Sequence, residues 1–274
     1  MTASVPPDAP LGQDVSYPDA YDASLLFPIE RSLNREKLAI PHHWHGADIW
    51  NAYEISWLNS KGKPIVGVAR FTFSPASPRL IESKSFKLYL NSFNEERYAH
   101  ADLVQQRMAA DLSAAAGAPV TVEICTEIRH EAFLCAPLEG ICIDDADIEI
   151  TTYQPSAGLL RCVSGAGTVT ETLTSDLLKS NCPVTGQPDW GSVQIIYTGP
   201  QIDRAALLEY IVSLRQHNEF HEHCVEQLYC DIWASCRPES LLVYARYTRR
   251  GGLDINPWRS SRPAGVSQTR TPRQ

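Results

Sequence analysis

The stretch Ala52–Phe73, AYEISWLNSKGKPIVGVARFTF, decides the fold class. Ala52 to Leu58 alternates as a strand, Asn59–Pro64 (NSKGKP) is turn chemistry, and Ile65 to Phe73 returns as a second strand, so the segment predicts an antiparallel hairpin. Downstream, Asn94 to Ala116 predicts a helix with Tyr98, Ala101, Val104, Met108 and Leu112 on one face and Gly117 as its stop. Val120–Ile128 and Ile148–Tyr153 complete a first half of strands and one helix. After Tyr153–Gly158 (YQPSAG) the order recurs. Leu159–Val163 and Thr168–Leu173 read as strands around the turn SGAG, and Val193–Tyr197 as another. Helices are expected over Asp203–Gln216 and about Glu219–Cys236, and a strand over Leu241–Tyr247. Two α+β units of antiparallel strands with helices on one face follow. The boundaries are an arm over 1–25, a first module over 26–155, a second over 156–258 and a basic tail over 259–274.

The 274 residues carry 24 Lys and Arg against 32 Asp and Glu, a formal charge of -8. That balance excludes the basic excess of non-specific nucleic-acid binders, so an anionic ligand needs a local basic patch. No apolar run approaches the roughly 20 residues that span a bilayer, and the first residues lack the pattern of a secretory signal. A soluble, cytoplasmic protein is expected. Its eight cysteines are expected to be free thiols, since a chain of this size does not need disulfides.

Four segments carry chemistry. Ser180–Trp190 (SNCPVTGQPDW) reads as an irregular loop stiffened by proline and glycine, with Cys182 and Asp189 as nucleophile and proton donor. A thiol of pKa near ~8.5 is only slightly ionised at neutral pH and needs local activation. The competing reading is a turn with a buried cysteine and a surface aspartate. Asn218–Cys224 (NEFHEHC) offers Asn218 as a helix cap and places Phe220, His221 and Glu222 at a helix mouth, where a heterocycle could stack and bond. A metal reading of His221, His223, Cys224 and Cys230 lacks any CxxC or HExxH spacing, so no metal site is expected. Glu82–Lys87 (ESKSFK) alone reads as a solvated strand edge. Thr248–Gly252 (TRRGG) can cradle phosphates, or is a plain turn. Gly165–Ala166–Gly167 is no dinucleotide fingerprint. Pro41–Gly46 (PHHWHG), with His42, His43 and His45, reads as a surface loop.

Together these segments resemble the long, bimodular form of the QueF nitrile reductases, the NADPH-dependent 7-cyano-7-deazaguanine reductases. ESKSFK, CPVTGQPDW and HNEFHEHC in one chain carry the likeness, with YARYTRRGGLDINPWRS behind them. The resemblance implies tandem tunnelling-fold modules, antiparallel and ferredoxin-like, in a homodimer that binds neither membrane nor nucleic acid. It implies reduction of the nitrile to an aminomethyl group with two NADPH, in queuosine biosynthesis for tRNA modification. Carried over by motif, Cys182 forms a covalent thioimide and Asp189 is the general acid, with His221 as a second proton carrier. Glu82, Ser83, Lys84, Phe220, His221 and Glu222 bind substrate. Lys84, Ser85, Arg250 and Gly251 bind NADPH. Gly186 has no implied role. The wider superfamily includes zinc-dependent GTP cyclohydrolases, whose metal set this chain lacks. A cysteine-dependent nitrile hydrolase and a non-catalytic purine-binding module are the alternatives. If His221 faces Cys182, then Cys224, three residues on, would bring its sulfur within reach of a reversible disulfide.

Overall fold

The expected hairpin is β2 (His45–Leu58) and β3 (Pro64–Phe73) in a computed structural model that describes residues 17–127 and 134–274. Asn59 closes it: its Oδ1 accepts from the N–H groups of Lys61 and Lys63, and Gly62 sits at φ +80°, which favours glycine. β2 begins seven residues before the expected Ala52, because residues 45–52 pair with a strand that the sequence hid.

That strand is β11 (Leu253–Ser260), which lies antiparallel to β2 over its whole length. Pro257 and the polar Asp254, Asn256 and Arg259 argue against a central strand by composition, yet all are buried. The pairing joins the halves into one sheet. Its order runs from β5 (Val120–Cys125) through β3, β2 and β11 to β10 (Ser240–Tyr247), β9 (Pro188–Pro200), β7 (Thr168–Ser175) and β6 (Ile141–Cys142). A short β8 (Lys179–Asn181) pairs with β9, while β1 (Pro28–Glu30) and β4 (Arg79–Ile81) form a separate pair. The pairings are antiparallel except β6 with β7, so the α+β class holds.

α1 (Ser32–Arg35) is a single turn. α2 (Ser83–Asn91) replaces the expected strand edge at ESKSFK. Its polar first turn hides an apolar face of Phe86, Tyr89 and Leu90. α3 (Ala101–Ala116) starts later than Asn94, because Tyr98 donates its N–H to Leu58 O, and it ends at Gly117 (φ +73°) as expected. Val104, Met108 and Leu112 are fully buried on its inner face. These helices cover the first half of the sheet, and α4 (Arg204–Ser213) and α5 (His221–Cys236) cover the second. The opposite face carries Ala47, Ile49, Leu242, Tyr244 and Trp258 beneath Leu138 and Val266.

Other expectations are corrected. Ile148–Tyr153 has no ladder partner among the described residues, and Leu159–Val163 is reduced to a 3-10 turn and one bridge, Cys162 to Ile202. Ile128 lies outside the described residues, as do residues 1–16 of the arm. The described part of the arm is anchored, since Tyr21 donates its hydroxyl to Asp111 and its N–H to Glu96. PHHWHG is also held down: Trp44 is buried, and His42 Nε2 lies 2.8 Å from the Tyr229 hydroxyl. β11 runs past Trp258, and the segment after it packs back, with Gln274 bonded to Tyr247 O and Asn256. Arg259 bridges Asp48 of β2 and Glu226 of α5 with no exposure, while Arg31 and Arg35 complete a buried ion network that ties the halves together.

Candidate active site

The Cys182 segment is a hairpin turn, not an irregular loop. Cys182 donates its N–H to Gln187 O and accepts from Gly186 N–H, so β8 leads into the turn and β9 leaves it with Asp189 as its second residue. The prolines are compatible because Pro183 lies in the turn and Pro188 starts the strand. A hairpin also explains the spacing of Cys182 and Asp189, because it folds the chain back and brings both to one cleft. Cys182 and Asp189 are 3 % and 4 % exposed, so the surface-aspartate reading does not hold.

Across the cleft, α5 begins at His221. Phe220 occupies the cap position with no side-chain bond; Asn218 is not the cap, and instead bridges Asn181. His221 Nε2 lies 3.5 Å from Asp189 Oδ1, and its ring meets the Tyr247 ring edge-on at 4.3 Å. Glu222 is buried and accepts from Trp50 Nε1 at 3.1 Å; burial, with Asp48 nearby, raises its carboxyl pKa. Arg250, from the turn between β10 and β11, forms an ion pair with Asp189, its Nε 2.8 Å from Oδ1. Burial pulls the Asp189 carboxyl up, but His221, Arg250 and Lys87 outweigh it and hold the group below the usual carboxylate range. Ser83 reaches the same cleft, and Trp50, Ile81 and Ile255 supply apolar wall. One chain therefore brings residues of both halves to one pocket.

Other expected residues are placed differently. Glu82 lies at the N-cap of α2, where its two carboxylate oxygens accept from the N–H groups of Lys84 and Ser85 at 2.7 Å. It is fully buried, and burial raises its pKa despite those bonds. Ser85 is occupied too, donating to Glu82 O and accepting from Phe27 N–H. Lys84 begins the same helix beside Ser83, and does not line the cleft. Gly251 (φ +57°) borders a neighbouring groove with Tyr53, Glu54 and Lys87. The Cys224 thiol faces Tyr247 and Ser180, and burial pushes it up to about 12; all eight cysteines are free thiols.

Residues 17–124 match the family model described as nitrile reductase, 7-cyano-7-deazaguanine-reductase N-term, and residues 188–265 match the one described as QueF-like protein. The chain is 57% identical over 264 residues to the NADPH-dependent 7-cyano-7-deazaguanine reductase of Bordetella avium, covering 95% of each chain. It is 54% identical over 276 residues to the enzyme of that name in Chromobacterium violaceum, covering 99% of each. The chain belongs to the QueF nitrile reductase family.

Two residues of this QueF chain escaped the sequence reading. Lys87 sits between the cleft and the groove: burial, with Arg250 beside it, lowers its pKa, while Glu82, Asp189 and Cys182 pull it back up. Trp50 lies on β2, far in sequence from the Glu222 it supports. The last position of ESKSFK was the only available signal for Lys87; nothing local marks Trp50. For a dinucleotide phosphate, the fit is good. Arg250 offers a guanidinium and Lys87 an amine, and Gly251 and Gly252 have left-handed φ values that bare the turn's backbone.

Proposed function

We propose that this chain reduces the nitrile of 7-cyano-7-deazaguanine to an aminomethyl group with two NADPH; its relatives are named NADPH-dependent 7-cyano-7-deazaguanine reductases. The observation that carries the reading is the meeting of Cys182, Asp189, His221, Glu222, Ser83 and Arg250 in one cleft. Asp189 starts as a carboxylate. It takes the Cys182 thiol proton and passes it to the nitrile nitrogen as sulfur adds to carbon, so a C–S bond forms and one C–N π bond opens. The product is a thioimide on Cys182. NADPH, when bound, supplies hydride. After the first reduction, C–S cleavage returns Cys182 as thiolate and leaves an imine, which the second reduction converts to the primary amine. Two hydrides and two protons are consumed per nitrile.

The chain's own groups orient and protect this sequence. Glu222, held by Trp50, faces the heterocycle's N–H groups, with Phe220 packed against its plane and Ser83 at its edge. Glu82 acts through the helix that it caps. His221 lies within reach of Asp189 and resupplies its proton. Burial keeps water from the imine. Lys84, Lys87, Arg250 and Gly251 receive the dinucleotide, and Ser85 holds Lys84's turn in place.

We place the protein in the cytoplasm as a homodimer acting on a small molecule without nucleic acid. Among the described residues β5 and β6 are the terminal strands of the sheet, edges that a second copy can extend. No helix among the described residues is long and apolar enough to cross a membrane. Light scattering at micromolar concentration tests the dimer, and a monomer mass would overturn it.

Absorbance of NADPH with 7-cyano-7-deazaguanine tests the activity. About two NADPH per nitrile are expected, with turnover and the covalent adduct both lost in Cys182→Ala. An intact nitrile with no protein adduct by mass spectrometry would refute the reading.

A further inference from the structure

Glu219 borders both the nitrile cleft and a second, open cavity of about 380 Å³ that is also lined by His217, His223, Gln227 and Asp231. One nitrogen each of His217 and His223 and one oxygen of Glu219 lie within 4.8 Å of one another, and all three residues are buried. Their hydrogen bonding is incomplete. His223 Nε2 lies 3.0 Å from the Asn34 carbonyl oxygen. A carbonyl can only accept, so Nε2 carries a proton, and Nδ1 presents a lone pair wherever the ring holds that one proton alone. That Nδ1 stands 2.8 Å from Glu219 Oε2 without hydrogen-bond geometry. Two lone pairs at this distance repel unless positive charge joins them. His217 is 7% exposed, and both of its ring nitrogens lack a partner among the described residues. Such a buried, wholly unsatisfied imidazole calls for an explanation.

We propose that His217, Glu219 and His223 hold a divalent cation, with a fourth position open to the cavity. Two imidazoles and one carboxylate with an open site are a donor set that suits zinc, whereas magnesium and calcium prefer all-oxygen shells. The outer contacts are those that orient ligands. Asn34 O fixes the His223 tautomer with Nδ1 inward. Phe220 N–H occupies Glu219 Oε1 at 3.1 Å, which leaves Oε2 for the cation. Asp231, whose Oδ2 takes Tyr210 and Gln227, lies outside the group of three whose ligand atoms converge. Ligand atoms around tetrahedral zinc lie roughly 3.3 Å apart, so the 2.8 Å pair opens by about half an ångström and His217 closes in. The site differs from the set His221, His223, Cys224 and Cys230 considered from sequence: Cys224 faces Tyr247 and Ser180 instead. A cation here would also fix the segment that leads into Phe220 and His221, one wall of the nitrile cleft. The proposal stands independently of the nitrile chemistry.

The test uses the full chain stripped with a chelator, titrated with zinc by calorimetry and with cobalt by absorption. One equivalent is expected to bind, with cobalt showing ligand-field bands and no thiolate charge-transfer band. His223→Gln is expected to weaken zinc at least about tenfold, and Cys182→Ala to leave the affinity unchanged. Circular dichroism of each variant checks its fold. No stoichiometric binding by the unaltered chain would overturn the site. So would a thiolate band, or equal affinity in the folded His223→Gln and His217→Asn variants.

Discussion

Arg250 Nε pairs with Asp189 Oδ1 at 2.8 Å while its Nη1 donates to Gln187 Oε1 at 2.7 Å, so one guanidinium holds two nearby residues of the hairpin that carries Cys182. The contact crosses from the β10–β11 turn to β9 and, after His221, helps to hold Asp189 ionised. Burial alone would raise that carboxyl; His221, Arg250 and Lys87 lower it. A carboxylate that must begin ionised loses activity as pH falls through its pKa, so the unaltered enzyme's acid limb lies below the ordinary carboxylate range. Arg250→Gln removes one lowering charge, and the acid limb of kcat/KM is expected to move up by about one pH unit. An unmoved limb in the variant would show that another group sets it.

Trp50 and Glu222 make a second cross-half contact, at 3.1 Å. Trp50→Phe keeps the ring bulk and removes the donor. Loss of one hydrogen bond to a buried carboxyl is worth about 1 kcal/mol, so KM for the nitrile is expected to rise about fivefold. The same variant is expected to hold kcat within about twofold, because Trp50 does not touch the reacting carbon. A fallen kcat with unchanged KM would contradict Glu222's place in substrate binding.

What the sequence disclosed, and what it hid, follows from where each pattern was local. Alternation over Ala52–Leu58 and Ile65–Phe73 disclosed the hairpin, because its partner strand lies next in the chain. β11 stayed hidden because Asp254, Asn256 and Arg259 are buried by partners that include β2 and α5, such as Asn51, Asp48 and Glu226. Composition cannot distinguish such polar residues from solvated ones. α2 was missed because its first turn is polar and its capping residue is a glutamate, outside the usual Ser, Thr, Asp and Asn. In the site, Cys182, Asp189 and the Phe220–Glu222 wall were legible from motif chemistry. Trp50 was not, since only the folded sheet brings it beside Glu222, and Lys87 was not, since it lies on α2 beside the neighbouring groove.

Glu82 makes a separable prediction about stability. Its carboxylate takes two N–H groups of α2 at 2.7 Å. Glu82→Ala leaves both unpaired in a buried place, and a loss of about 1–2 kcal/mol is expected by chemical denaturation. Glu82→Gln keeps one acceptor oxygen and is expected to fall between the two. Equal stability of the alanine variant and the parent would mean that water replaces the cap.

The ion network around Glu226 predicts how the fold responds to acid. Arg35 Nη2 and Arg259 Nη2 each lie 2.6 Å from Glu226 Oε1. Burial opposes ionisation there, but Arg259, Arg35 and Arg31 win and depress the pKa from the ordinary 4.5 to about 2. A depressed carboxyl stabilises the fold above its unfolded pKa and loses that contribution as pH falls through the folded value. The window is therefore pH 4.5 down to about 2. A shift of that size corresponds to on the order of 3 kcal/mol. The urea midpoint is expected to fall steadily across this window. Glu226→Gln is expected to be less stable at neutral pH, because Arg259 loses a charged partner while fully buried. Its midpoint should depend less on pH over the same range. A variant whose acid dependence matched the parent's would show that other carboxylates, Asp48 foremost among them, govern the unfolding.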